Sequence, residues 1–138
     1  MLFLFVGLVS NAQKQEVQKC IDVFFEGFHQ KDTLKLKSVC GDKLILQSIS
    51  ESKTKGNKLS NESAEEFYKS IASIPQTTKF QEKILSYNIQ IDGVMAHVWA
   101  PYEFYINDKL SHSGVNTFTL FREKDNWKII YLIDTRRK

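Results

Sequence analysis

HVWAPYEFYINDKLSHSGVNTF, residues 97 to 118, sets two strand-forming runs on either side of Asn107-Asp108. Both turn residues tolerate left-handed backbone, so the pair reads as a two-residue hairpin turn. Ile106 then faces Lys109, and stepping outward puts Glu103 opposite His112, Trp99 opposite Asn116 and His97 opposite Phe118. Alternation along the strands places these residues on one face, with Leu120 beyond them. The other face holds Val98, Ala100, Tyr102 and Phe104 against Val115, Thr117 and Thr119. That second face is the expected core, and the first is a mixed polar and apolar surface. Pro101 is the residue expected to disturb the count, because proline in a strand favours bulges that shift the register.

Further turn signals at Asp92-Gly93 and Asp125-Asn126 extend the hairpin into an antiparallel meander from Lys79 onward. Through Asp92-Gly93, the residues Leu85, Tyr87, Ile89 and Ile91 join the core face. Asp134 and Arg136 lie two apart and share a face. An even loop at Asp125-Asn126 puts Trp127, Ile129, Tyr131 and Ile133 on the mixed face, and an odd loop puts Asp134 and Arg136 there instead. Long strands twist, and such a sheet tends to wrap around another element.

The element to be wrapped lies upstream. From Gln15 to His29, Val17, Ile21, Phe24, Phe25 and Phe28 recur at helical spacing, with Cys20 at the edge of the stripe. Asp32 is placed to cap a short helix from Thr33. CGDK breaks the chain, LILQSIS reads as a strand, and ESKTKGNKLSN is a polar loop or hairpin turn. Ser63 and Glu66 form a capping box for a helix whose apolar face is Ala64, Phe67, Tyr68 and Ile71, closed by Pro75. Helices followed by a curved meander predict an α+β cone, a single domain over residues 13–138.

The 138 residues are 42% hydrophobic and 25% charged, ordinary globular values. The net charge is +3, and the basic residues are dispersed apart from the terminal TRRK, so no nucleic-acid surface is expected. The uncharged apolar run in MLFLFVGLVSNA is too short to span a bilayer. With Ser10-Asn11-Ala12 as a small-x-small site, residues 1–12 are expected to be a signal peptide and the protein to be exported to the periplasm or beyond. No Lys or Arg precedes the run, and a buried N-terminal segment is the alternative. Cys20 and Cys40 form no metal-binding spacing; one disulfide and two buried thiols both remain open.

The segment WAPYEFYINDKLSHSGVNTFTLFREKDNWKIIYLIDTRRK resembles a bacterial lumazine-binding branch of the nuclear transport factor 2-like superfamily. That branch runs PY-x-F, G-K-x-S-H-C-G, F-x-L, G-x-W-K-I and D-T-R-R. Ser113 stands where the branch has Cys, and Asn126 replaces the turn Gly. The resemblance implies a sheet curled round an N-terminal helix (the cystatin-like fold), a pocket between sheet and helices, and a homodimer formed through the sheet. Its relatives include isomerases, dehydratases, cyclases and non-catalytic binding domains, and fold alone does not choose among them.

Among single residues, Glu103 with His112 is the most enzyme-like pair, since a carboxylate orients an imidazole and raises its pKa. A cross-strand ion pair is the plainer account. Trp99 reads as a packing anchor, and Asn116, if buried, needs a partner on a ligand or a second subunit. Asp134 and Arg136 suit either an acid-binding pair or a structural bridge. Tyr87 and Tyr102 point inward as candidate phenol donors. His29 and Asp32 read as cap and surface residues. No carboxylate is securely assigned to the core face, which weighs against a pocket acid or base of the isomerase type. No metal site or cofactor motif is found. The expected function is therefore an exported, dimeric small-molecule-binding or interaction module; the alternative is an isomerase, dehydratase or cyclase using a pocket carboxylate with a Tyr donor.

Overall fold

The computed structural model describes residues 2–138, with side chains from Asn11 onward. The elements run α1 (Leu2–Gln30), α2 (Thr33–Ser38), β1 (Cys40–Ser50), β2 (Lys58–Ser63), α3 (Ala64–Ala72), β3 (Phe80–Ile84), β4 (Asn88–Asp92), β5 (Met95–Ile106), β6 (Lys109–Glu123) and β7 (Asn126–Arg136). The expected leader falls largely on residues 1–10, whose side chains lie outside those described.

The helix ends follow local chemistry. The Asp32 carboxylate accepts the Lys35 amide at 3.1 Å and caps α2. Ser63 and Glu66 exchange side chain-to-backbone bonds of 3.1 Å each and cap α3. The strands form one curled, unclosed sheet in the order β2-β1-β7-β6-β5-β3, with β4 also pairing β5. β3 and β4 are two halves of the first run of the meander, separated at residues 85–87. Leu85 is half exposed there and leaves the inner face expected of it. The inner face closes on α1: Val17, Ile21, Phe24 and Phe25 pack against Ala96, Val98, Ala100, Phe118, Leu120 and Ile129.

The turns obey their residues with small shifts in position. Asn107 and Asp108 take φ of 48° and 66°, as the two-residue hairpin requires. Asp92 pairs with Met95, so that turn is Gly93-Val94, with Gly93 at φ +60° in the first central position. Glu123 pairs with Asn126, and the last turn is Lys124-Asp125 rather than Asp125-Asn126.

Two bulges overturn the expected faces. Tyr105 pairs with Leu110 but Phe104 with His112, leaving Ser111 extra. Beyond it Glu103 faces Ser113, Trp99 faces Thr117 and His97 faces Thr119. His112, Asn116, Phe118 and Leu120 therefore belong to the inner face with Tyr102, and only His97, Trp99 and Glu103 remain on the outer one. Pro101 is not responsible, since it pairs with Val115 in unbroken register. The driving force is burial: Phe118 and Leu120 are both 0% exposed, and a straight register would have turned them to solvent. In β7, Thr119 pairs with Tyr131 and Leu120 with Ile129, so Ile130 is extra. Trp127 and Ile129 thus share the inner face with Leu132, Asp134 and Arg136, an outcome that neither an even nor an odd loop alone allows.

Candidate functional site

Between α1, α3 and the inner sheet face lies a cavity of about 550 Å³, lined by Phe24, Phe25, Phe28 and Phe67 on the helical side. Leu46, Leu132, Glu82, Asn116, Asp134 and Arg136 line it from the sheet. A volume of this size suits a small organic molecule.

Glu82 was not among the expected site residues, yet it is the most perturbed carboxyl of the cavity. It sits on β3 between Phe80 and Ile84, opposite Phe104, so its parity is that of the core. A lone Glu at an apolar position of an alternating strand is the signal that marks it in the sequence. It lines the cavity. Desolvation pushes its pKa up to about 7; the Asp134 charge adds to this, while the amide of Asn116 and the charge of Arg136 oppose it. Asn116, 4% exposed, donates to Glu82 Oε2 at 3.1 Å. His29 is not a surface residue. Its ring packs among Phe25, Phe28 and Phe80, and Nε2 accepts the Glu82 amide at 3.0 Å. Burial lowers the His29 pKa, which suits a neutral ring acting as acceptor.

Asp134 pairs with Asn116 across β6 and β7, which brings it to the same wall. The Tyr102 hydroxyl donates to the Thr135 carbonyl at 2.7 Å and lies 3.3 Å from Asp134 Oδ2. Arg136 Nε donates to the same Oδ2 at 3.1 Å. Asp134 Oδ1 is buried without a partner among the described residues. Burial, with the Asp134 charge second, raises the Tyr102 pKa, so the phenol stays protonated. The core face thus carries two carboxylates, Glu82 and Asp134, where none was assigned.

The other candidates are dispersed. Glu103 lies on the outer face and accepts from the Tyr105 hydroxyl at 2.8 Å. His112 is on the inner face, packed on Phe104 and edge-on to Tyr102. Burial, then the Arg136 charge, lowers its pKa. The expected Glu103–His112 pair does not form. Trp99 is half exposed on the outer face. Tyr87 donates to Asp22 of α1 at 3.0 Å, away from the cavity. Cys20 and Cys40 are buried free thiols, with burial pushing their pKa up to about 12 and about 11, so neither is poised as a nucleophile. Among the described residues no cluster of His, Cys, Asp and Glu could hold a metal ion, and no helix is long and apolar enough to cross a membrane.

The raised pKa of Glu82 has a measurable consequence. The folded state binds this proton more tightly than the unfolded chain, so the associated stability is complete below about pH 4.5 and is lost as pH rises through about 7. At about 1.4 kcal/mol per pKa unit, the group should make the protein roughly 3 kcal/mol less stable at pH 8 than at pH 4. His29 and His112 act in the opposite sense: their lowered pKa values add stability above the unfolded value of 6.5, and it is lost as pH falls. The quantity to read is therefore the difference between wild type and Glu82→Gln in urea unfolding across this range. A difference independent of pH would show Glu82 to be ordinary.

No protein-family model and no curated protein sequence matches the chain. Solved structures do match. The β subunit of a provisionally assigned aromatic-ring-hydroxylating dioxygenase from Novosphingobium aromaticivorans superposes with TM-score 0.75 at 9% identity, covering 94% of this chain and 92% of that one. An NTF2-like protein from Cytophaga hutchinsonii gives 0.71 at 18% identity, covering 91% and 98%. A provisionally assigned dehydratase of the NTF2-like family from Streptomyces avermitilis gives 0.70 at 16% identity, covering 94% and 99%. Identities this low speak to architecture alone. With its helices seated in a curled seven-stranded sheet, the chain has the NTF2-like, or cystatin-like, α+β fold.

Proposed function

We propose that this chain binds a small, largely apolar molecule in the cavity, with Glu82 as the polar contact at its wall. The observation that carries the reading is a cavity of about 550 Å³ walled by phenylalanines and containing a desolvated carboxyl near neutrality. Aromatic walls supply most of the favourable transfer energy, and a sparse set of polar groups sets orientation. N-phenyl-1-naphthylamine, an uncharged fluorophore, should brighten on binding wild type. Ser48→Phe, which fills the cavity from β1, should abolish the signal while Trp99→Ala on the outer face leaves it. Equal binding by all three proteins would reject the cavity as the site.

A second reading, an isomerase or dehydratase working by proton transfer, is favoured by the Glu82 pKa, which lies where a general base works best. In an isomerisation the Glu82 carboxylate would take a proton from carbon beside a carbonyl and return it to another carbon of the same molecule. The Tyr102 proton is already committed to Thr135 and Asp134, so charge on the carbonyl oxygen would fall to Asn116 or Arg136. The test is deuterium uptake from heavy water into unsaturated ketones, followed by NMR. Loss of uptake in Glu82→Gln supports turnover, and no uptake by wild type leaves the binding reading alone.

We also propose that the outer sheet face pairs two copies of the chain. Phe118, Leu120 and Asn116 cannot take part, being buried within one chain, but Met95, Trp99, Phe121, Ile45, Ile49 and Leu59 are exposed. A bare apolar sheet face is uncommon in a monomer. If Trp99 anchors the interface, Trp99→Ala should weaken association by about 2 kcal/mol. Light scattering across a dilution series reads this directly, and a wild-type monomer at tens of micromolar rejects it. Export belongs to the same proposal: mass spectrometry of the native protein should find Gln13 at the N-terminus, and an intact Met1 in the cytoplasmic fraction would overturn it.

A further inference from the structure

The cavity is graded along its strands. One row across β2, β1 and β7 is Lys58, Ser50 and Arg136; the next is Ser60, Ser48 and Asp134, continued on β6 by Asn116. The third row turns apolar over β1, β7 and β6, as Leu46, Leu132 and Phe118, with Glu62 at its β2 end. Neighbouring strands are about 4.8 Å apart, so Lys58 and Arg136 flank Ser50 at roughly 10 Å, a gap that two long side chains easily close.

The donors of this end are underused. Arg136 engages Asp134 through Nε, and its two terminal amino groups have no acceptor among the described residues. Lys58 Nζ and the hydroxyls of Ser48, Ser50 and Ser60 likewise have none, although all these residues line the cavity. Two carboxylates border this end: Asp134 pairs with Arg136 through Oδ2, and Glu62 lies in the third row, two rows from Lys58 and Arg136, with Oε1 3.4 Å from the Ser70 hydroxyl of α3. A planar guanidinium fork with free ends matches a carboxylate in bidentate geometry.

We infer that the ligand is an amphiphilic carboxylic acid, its anionic head over Ser50 between Arg136 and Lys58 and its apolar body among Phe24, Phe28 and Phe67. This rests on the cavity being the ligand site. It sets a polarity for binding: the head enters last, at the end where Arg136 and Lys58 are solvent-accessible, and the body reaches the wall that holds Glu82.

The test compares two probes with the same fluorescent body, dansylglycine and its uncharged methyl ester. Wild type should bind the acid about tenfold or more tightly than the ester, the scale of a charge-assisted bidentate contact. Arg136→Gln and Lys58→Gln should each erase most of that preference by lowering acid affinity far more than ester affinity. Lys58→Gln is the safer variant, since it leaves the Asp134–Arg136 bond intact. Equal affinities for acid and ester, both lost in Ser48→Phe, would overturn the head-group assignment and spare the cavity. Binding of both probes that Ser48→Phe leaves unchanged would overturn the assignment and the cavity reading together.

Discussion

Gly114→Ala is expected to cost about 3 kcal/mol or more of folding stability, with the urea midpoint falling accordingly. A Cβ at this position would stand 1.9 Å from the Thr135 carbonyl oxygen and 2.7 Å from its carbonyl carbon. Neither strand can yield. Ser113 and Arg137 exchange backbone bonds of 2.9 and 2.7 Å on one side, and the Val115 amide donates to Thr135 Oγ1 at 3.0 Å on the other. The Tyr102 hydroxyl holds the same Thr135 carbonyl at 2.7 Å. An added methyl must therefore prise β6 from the end of β7, which carries Asp134 and Arg136, so probe binding should fall with stability. Gly56→Ala is the control: φ is +77° but nothing lies within 4 Å, and about 1 kcal/mol is expected. A Gly114→Ala protein within 1 kcal/mol of wild type would mean that the strands do not approach as described.

Phe118→Ala should cost about 3–5 kcal/mol, the range for removing a fully buried aromatic ring. The ring is 0% exposed and packs edge-on to Phe24 and Phe25 at centroid distances of 6.1 and 6.0 Å. Trp99, nearly opposite on the neighbouring strand but 51% exposed, should lose less than about 1 kcal/mol of monomer stability when cut to Ala. The contrast is diagnostic, because a hairpin without the Ser111 bulge would place both side chains on one face. Similar costs for the two substitutions would favour that straight register. The measurement is equilibrium unfolding at protein concentrations low enough to keep the chain monomeric.

Much of the architecture was legible in local chemistry. The apolar stripe from Val17 to Phe28, the Asp32 cap, the Ser63–Glu66 capping box and the left-handed Asn107-Asp108 turn each follow from residues within one or two turns of chain. Alternation along β5 also held, with Val98, Ala100 and Tyr102 inside and Trp99 outside. So did the sharing of a face by Asp134 and Arg136, since two residues of strand always return the chain to the same side.

Which face each strand turns inward was decided by tertiary structure. Alternation is local, but register depends on what every strand must bury against α1, and one extra residue inverts the pattern. Ser111 and Ile130 are those residues. The first carries Asn116 and Phe118 inward; the second lets Asp134 join them beneath Trp127 and Ile129. Glu82 shows the same division. Its position between Phe80 and Ile84 marks a buried carboxyl in the sequence, but its partners Asn116 and Asp134 reach it only because two distant bulges turn them to its side. The sequence by itself determined the helices, their caps and the order of the meander, but not β2, whose first residues read as a polar loop, nor the start of β1 at CGDK or the break between β3 and β4. The polar wall of the cavity arose only when burial of Phe118, Leu120 and Leu132 selected the register that turns Asn116, Asp134 and Arg136 inward with them.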